Sequence, residues 1–378
     1  VLHGERALGA SLGAAMTTAP WPDHGGDAAA LLARFGLPAD HPVEDVSANL
    51  NPLGPPPWVA DWLVERFSGL SRYPEPSYRA ARQAIAEHEG VAPEQVLLTN
   101  GGADAIFLAA ALHAGQRGLI ITPTFGEYAR ACAAHRLVVT ETALEAPCFG
   151  LQVAALDAGV LQADVIFLCR PNNPTGTLIS ATEIERLLSC MPTTATLVVD
   201  EAFIDLALDA EPLTPLLAHY PQLVLLRSMT KFYTLPGLRL GYVLASAERV
   251  AALACHQPPW SVNHLAAELV APLLADTAFA QRTRQWLARE QPRMGQALAE
   301  AGLTVVPSHS CFYLVRPGPA LCQRGLSSVL LLERLLHHGM LARHTYSFAA
   351  LDGDWLRLAV RDGSANDRLL KVLHDCVR

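Results

Sequence analysis

The sequence has no apolar run that approaches the roughly 18 to 20 residues needed to span a bilayer. It also lacks internal repeats and low-complexity tracts, apart from a short Gly-Pro-Pro-Pro cluster at 54–57 that is predicted to end an extended N-terminal arm. Charge is sparse: 17% of the residues are charged and 51% are hydrophobic, a balance too apolar for a disordered protein. The 378 residues are therefore expected to form a globular protein with one large core and a smaller dependent domain.

Basic residues are too few to form a broad nucleic-acid surface. The 28 lysines and arginines are outnumbered by 36 acidic residues, and the net charge is −8, so an anionic substrate would need a local basic pocket. No two of the eight cysteines form a Cys-x-x-Cys pair, which predicts reduced, mostly buried thiols and no metal site. Residues 1–22 do not resemble a secretory signal, because Glu5 interrupts their only mildly apolar stretch. We expect a cytoplasmic protein without a membrane or nucleic-acid partner.

The pattern of apolar residues predicts an α/β fold. Between 96 and 243, short β-branched runs alternate with longer helical patterns, which is typical of a mainly parallel sheet with crossover helices. The predicted strands of this region are 96–99, 119–122, 165–169, 196–200, 223–227 and 240–245. Beyond Trp260 a smaller α+β domain is predicted, with helices and then strands at 262–274, 277–301, 303–306, 312–315 and 355–360.

Four segments follow from this pattern. The first is predicted to be a disordered extension, of which the part before Met16 is excluded from the prediction of the fold. The others are an N-terminal arm, a large cofactor-binding domain and a small C-terminal domain. Their predicted bounds, in chain order, are 1–22, 23–57, 58–258 and 259–378.

Lys231 stands at the end of a predicted strand, in the run Ser-Met-Thr-Lys at 228–231. A lysine beside hydroxyl residues in a low-dielectric setting can have a lowered pKa and act as an imine-forming nucleophile. Arg239 lies at the entrance of the next predicted strand, where a guanidinium can meet a phosphate. An ordinary surface lysine and a surface salt bridge are the alternative interpretations of these two residues.

Asp200 closes a buried strand and so lies at the carboxyl edge of the predicted sheet, where open α/β folds bind ligands. A buried carboxylate needs a cationic partner. A pyridinium nitrogen would be such a partner, and its proton is what makes the ring an electron sink. The alternative role for this residue is the N-cap of a helix.

Three further features follow predicted strands. The run Pro-Asn-Asn-Pro-Thr-Gly at 171–176 forms a rigid turn that could aim the amide of Asn173 at a ligand, although a plain turn would explain the same composition. The run Asn-Gly-Gly-Ala-Asp at 100–104 opens the backbone where a helix begins, and free N–H groups there suit a phosphate. Phe125 could stack on a planar ring or pack in the core.

In chain order these elements resemble the fold-type-I pyridoxal-phosphate enzymes of the aspartate aminotransferase superfamily, from Asp23 to Arg378. The resemblance is carried by the run at 171–176, by Asp-Glu-Ala-aromatic at 200–203 and by Ser-x-Thr-Lys followed by Gly-Leu-Arg-x-Gly within 228–241. It implies pyridoxal 5'-phosphate as cofactor, Lys231 as the Schiff-base lysine, Asp200 as the partner of the pyridine nitrogen and Asn173 as the partner of the 3-hydroxyl. The residues that it implies for the cofactor phosphate and for stacking on the ring are Gly102, Ala103, Ser228, Arg239 and Phe125.

Phe203 departs from this pattern. The broader family usually has a tyrosine at that position, whose hydroxyl also touches the 3-oxygen of the cofactor. Phenylalanine has no hydroxyl, so the substitution is expected to alter the electronics of the bound cofactor. Ordinary transamination becomes a weaker expectation as a result.

The run Arg-Tyr-Pro at 72–74 resembles the histidinol-phosphate aminotransferase branch of the superfamily. In that branch the tyrosine reaches the cofactor phosphate of the other subunit. Tyr73 therefore implies a homodimer with shared active sites, and simple packing in a turn is the alternative.

Three further runs resemble the threonine-phosphate decarboxylases of cobalamin biosynthesis: His-Gly-Gly at 24–26, Ser-Ala-Asn-Leu-Asn-Pro-Leu-Gly at 47–54 and Pro-Trp-Ser-Val-Asn at 259–263. The resemblance implies pyridoxal-phosphate-dependent decarboxylation of a phosphorylated amino acid, L-threonine O-3-phosphate, to (R)-1-amino-2-propanol phosphate. The residues that it implies for substrate binding are His24, Gly25, Asn49, Asn173, Arg343 and Arg357. A histidinol-phosphate-type aminotransferase and a non-catalytic member of the fold are the alternatives.

Overall fold

The computed structural model describes residues 20–156 and 162–378. Most of the predicted N-terminal extension, residues 1–22, lies outside the described residues. The first described elements are helix α1 (Ala28–Arg34) and the two-residue strand β1 (Glu44–Asp45). Of the described helices, none combines the length and the apolar character that crossing a membrane requires.

A seven-stranded sheet forms the centre of the larger part of the chain. Its strands are β2 (Val96–Thr99), β3 (Arg117–Thr122), β4 (Val138–Ala143), β5 (Val165–Cys169), β6 (Thr196–Asp200), β7 (Leu223–Ser228) and β8 (Gly241–Ala245). They lie in the order β2-β8-β7-β6-β5-β3-β4. All six predicted strands are present, and the predicted α/β fold class is confirmed. Strand β4 was not predicted, because it lies at the sheet edge and its mainly exposed residues give no apolar pattern.

Two hydrophobic cores lie on opposite faces of this sheet. In β6, Leu197 and Val199 belong to one core and Val198 to the other, as expected for side chains that alternate along a strand. The helices of this region are α2 (Val59–Arg66), α3 (Arg79–Glu89), α4 (Gly102–Leu112), α5 (Glu127–Ala134), α6 (Ala181–Cys190), α7 (Met229–Phe232) and α8 (Ala247–Ala254). Helices α4, α5 and α8 cover one face and α3 and α6 the other, so the central strands are buried on both sides.

Strand β8 runs antiparallel to both of its neighbours, whereas the other strand pairs of this sheet are parallel. Between β7 and β8 the chain forms only the four-residue helix α7 and a 3-10 turn at Pro236–Leu238. A parallel neighbour would need a longer crossover connection. The chain therefore turns back on itself, and Lys231 lies in this return segment.

Beyond β8 the chain forms long helices and a second, antiparallel sheet of four strands in the order β12-β13-β10-β9. The elements in chain order are α9 (His264–Ala275), α10 (Thr277–Glu300), β9 (Leu303–Val305), β10 (Phe312–Pro317), α11 (Pro319–Gln323), α12 (Ser328–His337), β11 (Met340–Leu341), β12 (Arg343–His344), β13 (Leu356–Ala359) and α13 (Gly363–Val377). The predicted helices and strands of this region are present within one or two residues. The division of the chain at residues 57 and 258 stays a prediction.

The fold brings three predicted site residues to one edge. Strands β5, β6 and β7 are parallel neighbours, so their carboxyl ends lie side by side. Asn173 lies in the loop after β5, Asp200 is the last residue of β6, and Lys231 lies in α7, which directly follows β7. The N-terminal arm reaches the same region because β1 pairs in parallel with β11, with Glu44 opposite Met340.

The prediction of mostly buried cysteines is wrong for half of them. Cys132, Cys169, Cys311 and Cys376 are buried, whereas Cys148, Cys190, Cys255 and Cys322 are exposed, and all eight are free thiols. Cys190 ends α6 and Cys255 directly follows α8. Apolar neighbours in sequence did not bury these residues, because the ends of surface helices face the solvent.

Candidate active site

A cavity of about 840 Å³ opens at the carboxyl ends of β5, β6 and β7. All but one of the predicted cofactor and substrate residues line it, although they are spread along the sequence. These lining residues are His24, Gly25, Asn49, Gly102, Ala103, Phe125, Asn173, Asp200, Ser228, Lys231, Arg239, Arg343 and Arg357. Their individual roles stay predictions, but the fold places them around one space.

Asp200 is a nearly fully buried acid at the floor of this cavity, with 5% of its surface exposed. Its Oδ1 accepts a hydrogen bond from the Ala202 N–H at 2.9 Å, and its Oδ2 accepts one from the Tyr128 hydroxyl at 2.7 Å. Burial raises the pKa of Asp200, and the hydrogen bonds from Tyr128 and Ala202 oppose that rise. A cation in the cavity would favour the ionised form further.

Lys231 faces the same space as Asp200. Burial lowers the pKa of Lys231, and the positive charges of Arg357 and Arg239 lower it further. A larger fraction of the amine is therefore uncharged, which is the nucleophilic form. The whole sequence contains only one other lysine, Lys371, which lies exposed in α13.

A site suited to a phosphate lies at the amino end of α4. Gly101 precedes this helix with a φ of +80° and provides no side-chain cap, so the first N–H groups of the helix stay available. A Cβ atom at Gly101 would come within 2.6 Å of the Arg239 guanidinium. The backbone thus approaches Arg239 as closely as only a glycine allows, beside Gly102 and Ser228 in the cavity wall.

Arg357 and Asn173 are in direct contact. The Arg357 guanidinium donates to Asn173 Oδ1 and, at 2.7 Å, to the Ser47 carbonyl. Because the amide oxygen of Asn173 is used in this way, its NH₂ group is left for another partner. Burial lowers the pKa of Arg357 to about 9, and the positive charge of Arg343 contributes to that shift. An anion beside these two arginines would offset the cost of desolvating them.

The N-terminal arm covers one side of the cavity. Arg343 donates to the backbone carbonyls of Pro22, Asp23 and His24, and burial lowers the pKa of this guanidinium to about 10. His24 Nε2 lies 3.3 Å from the Glu127 carboxylate. The arm is therefore held by hydrogen bonds from the buried Arg343, and its residue His24 lines the cavity.

Asn49 is also buried in the cavity wall, with 5% of its surface exposed. Neither its side-chain oxygen nor its side-chain nitrogen has a hydrogen-bond partner within the described residues. A buried amide without a partner is costly, so Asn49 is suited to bind a polar ligand.

Tyr73 is the predicted site residue that does not line the cavity. Its side chain is 79% exposed and packs on the Trp260 ring with the ring centroids 4.7 Å apart. Val64, Phe67 and Leu70 are also exposed apolar residues on the neighbouring segment. The structure does not bring Tyr73 to the cofactor residues of its own chain, and its reach into a partner subunit stays a prediction.

Several residues of the site were not predicted. Tyr128 contacts Asp200, and both Glu127 and Arg130 line the cavity. Phe125 precedes α5 and Tyr128 lies in its first turn, so no helical spacing relates the two side chains. No sequence signal shows that Tyr128 contacts Asp200, because the two residues are 72 positions apart.

Glu201 belongs to a buried ionic cluster behind the cavity. Its Oε1 lies 2.7 Å from Arg170 Nη1 and its Oε2 lies 3.0 Å from Arg227 Nε. Glu201 is 1% exposed and Arg170 is fully buried. The cluster fixes the end of β6 immediately after Asp200.

The chain is similar in sequence and fold to several known proteins. Residues 42–373 match the family described as aminotransferase class I and II. A threonine-phosphate decarboxylase of Salmonella typhimurium is 37% identical over 356 residues, which cover 93% of this chain and 96% of that protein. A histidinol-phosphate aminotransferase of Geobacillus thermodenitrificans is 30% identical over 337 residues, which cover 88% of this chain and 90% of that protein. The solved structure of L-threonine-O-3-phosphate decarboxylase from Porphyromonas gingivalis is similar with a TM-score of 0.78 and 28% identity, over 87% of this chain and 98% of that chain.

Proposed function

This chain belongs to the aminotransferase class I and II family, and we propose that it decarboxylates L-threonine O-3-phosphate to (R)-1-amino-2-propanol phosphate, with pyridoxal phosphate as cofactor. The 37% identity to a threonine-phosphate decarboxylase supports this function. The observation that carries it is a single cavity in which Asp200 and Lys231 face two desolvated arginines, Arg343 and Arg357. The sequence resemblance places the product in cobalamin biosynthesis.

The residues at the floor of the cavity fit pyridoxal phosphate. Asp200 offers a buried carboxylate for a protonated ring nitrogen, and Lys231 offers an amine with a lowered pKa. The uncapped start of α4 beside Gly101 and Arg239 offers N–H donors for a phosphate. When bound, the cofactor supplies an electron sink for the electron pair that a departing carboxyl group leaves behind.

The residues of this chain then bind the substrate and move one proton. We assign Lys231 to return a proton to the substrate Cα, because its amine lies at the cavity floor and titrates below the usual range for lysine. We assign Arg357 and Arg343 to the substrate carboxylate. We assign His24 and Asn49 to its phosphate. Together these contacts would fix the orientation of the substrate carboxylate in the cavity, and that orientation would select the bond that breaks.

A histidinol-phosphate-type aminotransferase is the second candidate, and the 30% identity to such an enzyme favours it. That reaction would also need an amino-group acceptor such as 2-oxoglutarate. Phe203 weighs against transamination, because its ring lies 5.8 Å from Lys231 Nζ and has no hydroxyl to offer the cofactor. The products of the reaction distinguish the two functions.

We expect the purified holoenzyme to release carbon dioxide from L-threonine O-3-phosphate and to form no keto acid, with or without 2-oxoglutarate. Unphosphorylated threonine should be poorer by at least roughly tenfold to a hundredfold, because it loses charge-assisted hydrogen bonds worth about 1.5 to 3 kcal/mol each. Carbon dioxide release and glutamate formation are measured side by side. Stoichiometric glutamate without carbon dioxide would establish the aminotransferase instead.

His24→Ala should weaken the use of the phosphorylated substrate far more than that of threonine, because only the former has a phosphate near the arm. The ratio of kcat/KM for the two substrates measures this selectivity. His309→Ala is a matched control: His309 also pairs with a carboxylate, Asp209 at 2.8 Å, but does not line the cavity. Equal losses for both substrates in His24→Ala would contradict the assignment of His24 to the phosphate.

We further propose a homodimer in which Tyr73 completes the cofactor site of the partner. Support comes from the exposure of Tyr73, its contact with Trp260 and the exposed apolar residues Val64, Phe67 and Leu70 beside it. Exposed apolar surface of this kind is typical of a protein interface. A C2 dimer would bury the same surface on both subunits.

Mixing the inactive variants Lys231→Ala and Tyr73→Ala should restore about a quarter of the wild-type sites, because half of randomly paired subunits form hybrids with one complete site. Activity after unfolding and refolding the mixture measures this restoration. The control mixture of Lys231→Ala with Asp200→Ala should restore nothing, since both residues belong to the same chain's site. A monomer by light scattering at working concentration would rule the homodimer out.

A further inference from the structure

Tyr128 contacts Asp200 but does not itself line the cavity in which the cofactor and substrate are proposed to bind. Its side chain lies in the first turn of α5 and is fully buried, and its hydroxyl donates to Asp200 Oδ2 at 2.7 Å. The other oxygen of this carboxylate accepts from the backbone of Ala202. Within the described residues, Tyr128 is the side chain that donates a hydrogen bond to Asp200.

The position of the Tyr128 hydroxyl is set by the packing of its ring. The ring stacks on Phe167 with centroids 5.7 Å apart and an angle of 17° between the planes. Phe125 packs against it edge-on at 6.0 Å. A phenylalanine at position 128 would keep both contacts, so the packing does not by itself require a hydroxyl. The hydroxyl is therefore explained by its acceptor, Asp200.

We propose that Tyr128 is a positioning residue that keeps Asp200 ionised and aimed into the cavity, and thereby sets how firmly the protein holds a protonated ring nitrogen. The proposal deepens the proposed function, since it rests on pyridoxal phosphate binding at Asp200. Tyr128 acts through Asp200 and is not itself assigned to touch the cofactor or the substrate.

The physical reason is the balance of effects on one buried carboxylate. Burial raises the pKa of Asp200 and so favours the neutral acid, which cannot pair with a pyridinium. The hydrogen bond from Tyr128, the hydrogen bond from the Ala202 N–H and the positive charge of Lys231 oppose this shift in the pKa of Asp200. The backbone donor is present whatever the side chain at 202 is. The Tyr128 hydroxyl is thus the donor that a single substitution can remove without altering the chain path.

The segment from Phe125 into the first turn of α5 joins this contact to the substrate side of the cavity. Phe125 faces the cavity, Glu127 pairs with His24 of the arm and Tyr128 reaches Asp200 behind the cavity floor. A displacement of this segment would therefore move the stacking ring and the support of Asp200 together. For this reason the test uses a substitution that removes one oxygen atom and leaves the helix unchanged.

In the Tyr128→Phe holoenzyme, we expect the ring nitrogen of the bound cofactor to lose its proton at lower pH than in the wild type. The dissociation constant for the cofactor should rise roughly tenfold to a hundredfold, the loss typical of one hydrogen bond to a charged group. Nitrogen-15 magnetic resonance of ring-labelled pyridoxal phosphate measures the titration, and equilibrium dialysis measures retention. Neither readout depends on turnover.

Tyr78→Phe is the matched control, because it removes a hydroxyl that is buried with a backbone partner, Val262, away from the cavity. It should leave both readouts unchanged. In an Asp200→Asn background, Tyr128→Phe should have little further effect, since a residue that acts through Asp200 has no charge left to support. An equal loss of cofactor in that background would overturn the proposal, as would a wild-type nitrogen titration in Tyr128→Phe.

A second variant covers the case in which Tyr128→Phe fails to fold. Incorporating 3-fluorotyrosine at position 128 keeps the ring and makes the hydroxyl a stronger donor, so the ring nitrogen should keep its proton to higher pH. An unmoved titration would contradict the proposal. These readouts need no substrate, so a failure of threonine phosphate decarboxylation would be recognised separately by the absence of carbon dioxide.

Discussion

Replacing Lys231 with alanine is expected to abolish covalent attachment of pyridoxal phosphate and to slow turnover by roughly 10²- to 10⁴-fold, the loss typical of a positioned proton-transfer group. The expectation follows from the place of this amine beside Asp200 and from its lowered pKa, which burial causes and two arginines reinforce. Borohydride treatment followed by peptide mass analysis measures the attachment. Visible absorbance of the purified protein provides a second measure.

The sequence offers a sharp control for this experiment. Lys371 is the only other lysine of the chain, lies exposed in α13 and does not line the cavity. Lys371→Ala should keep the colour, the borohydride-trapped mass and the turnover of the wild type. Unchanged colour and normal turnover in Lys231→Ala would remove Lys231 from the proposed mechanism.

Glu201→Gln is expected to lower the free energy of unfolding by about 3 to 5 kcal/mol, the usual cost of removing one charged partner from a buried ion pair. Glutamine has nearly the size of glutamate but no charge. Arg170 and Arg227 would then remain buried beside a neutral amide. Burial alone would lower the pKa of Arg227, but the carboxylates of Glu201 and Glu89 raise it above its ordinary value. The charge of this arginine thus depends on its acidic neighbours.

Urea-induced unfolding of the holoenzyme at several protein concentrations measures the change and separates it from any dissociation of subunits. The control is Glu65→Gln, which removes a surface carboxylate that pairs with Arg66 at 3.1 Å, where the Glu65 side chain is 72% exposed and the Arg66 side chain 41% exposed. Such a pair contributes little, so no measurable change is expected. If Glu201→Gln also left the free energy of unfolding unchanged, water or a neighbouring group would be replacing the missing charge, and the prediction would be wrong.

The elements of the large sheet could be predicted because its central strands are short, continuous apolar runs. Strands β5 and β6 have the predicted bounds, Val165–Cys169 and Thr196–Asp200. Strand β4 was missed because it is an edge strand with mainly exposed residues. Its apolar and polar residues do not alternate clearly enough to indicate a strand. The reversed direction of β8 depends on the short connection after β7, and no residue pattern within β8 displays it.

The chemistry of the floor of the site was determined by the sequence itself. Asp200 and Lys231 each directly follow a buried run, and the family resemblance carried by their flanking residues implies pyridoxal phosphate as the cofactor. A polar residue at the carboxyl end of a parallel strand necessarily lies at the ligand-binding edge of the sheet. Local sequence therefore sufficed to predict that these residues lie at this edge, and the family resemblance implied what they bind.

Only the tertiary structure decided how the site residues meet. Tyr128 and Asp200 are separated by 72 positions, and Arg357 and Asn173 by 184. Contacts between residues so far apart in sequence depend on the order of the strands and on the packing of entire layers. Many small interaction energies together determine that packing. The exposure of Tyr73 is decided in the same way, since a residue in a turn lies inside or outside according to what packs over it. Short motifs identify the reacting groups, whereas the partners that tune them emerge only when the sheet and the arm are assembled.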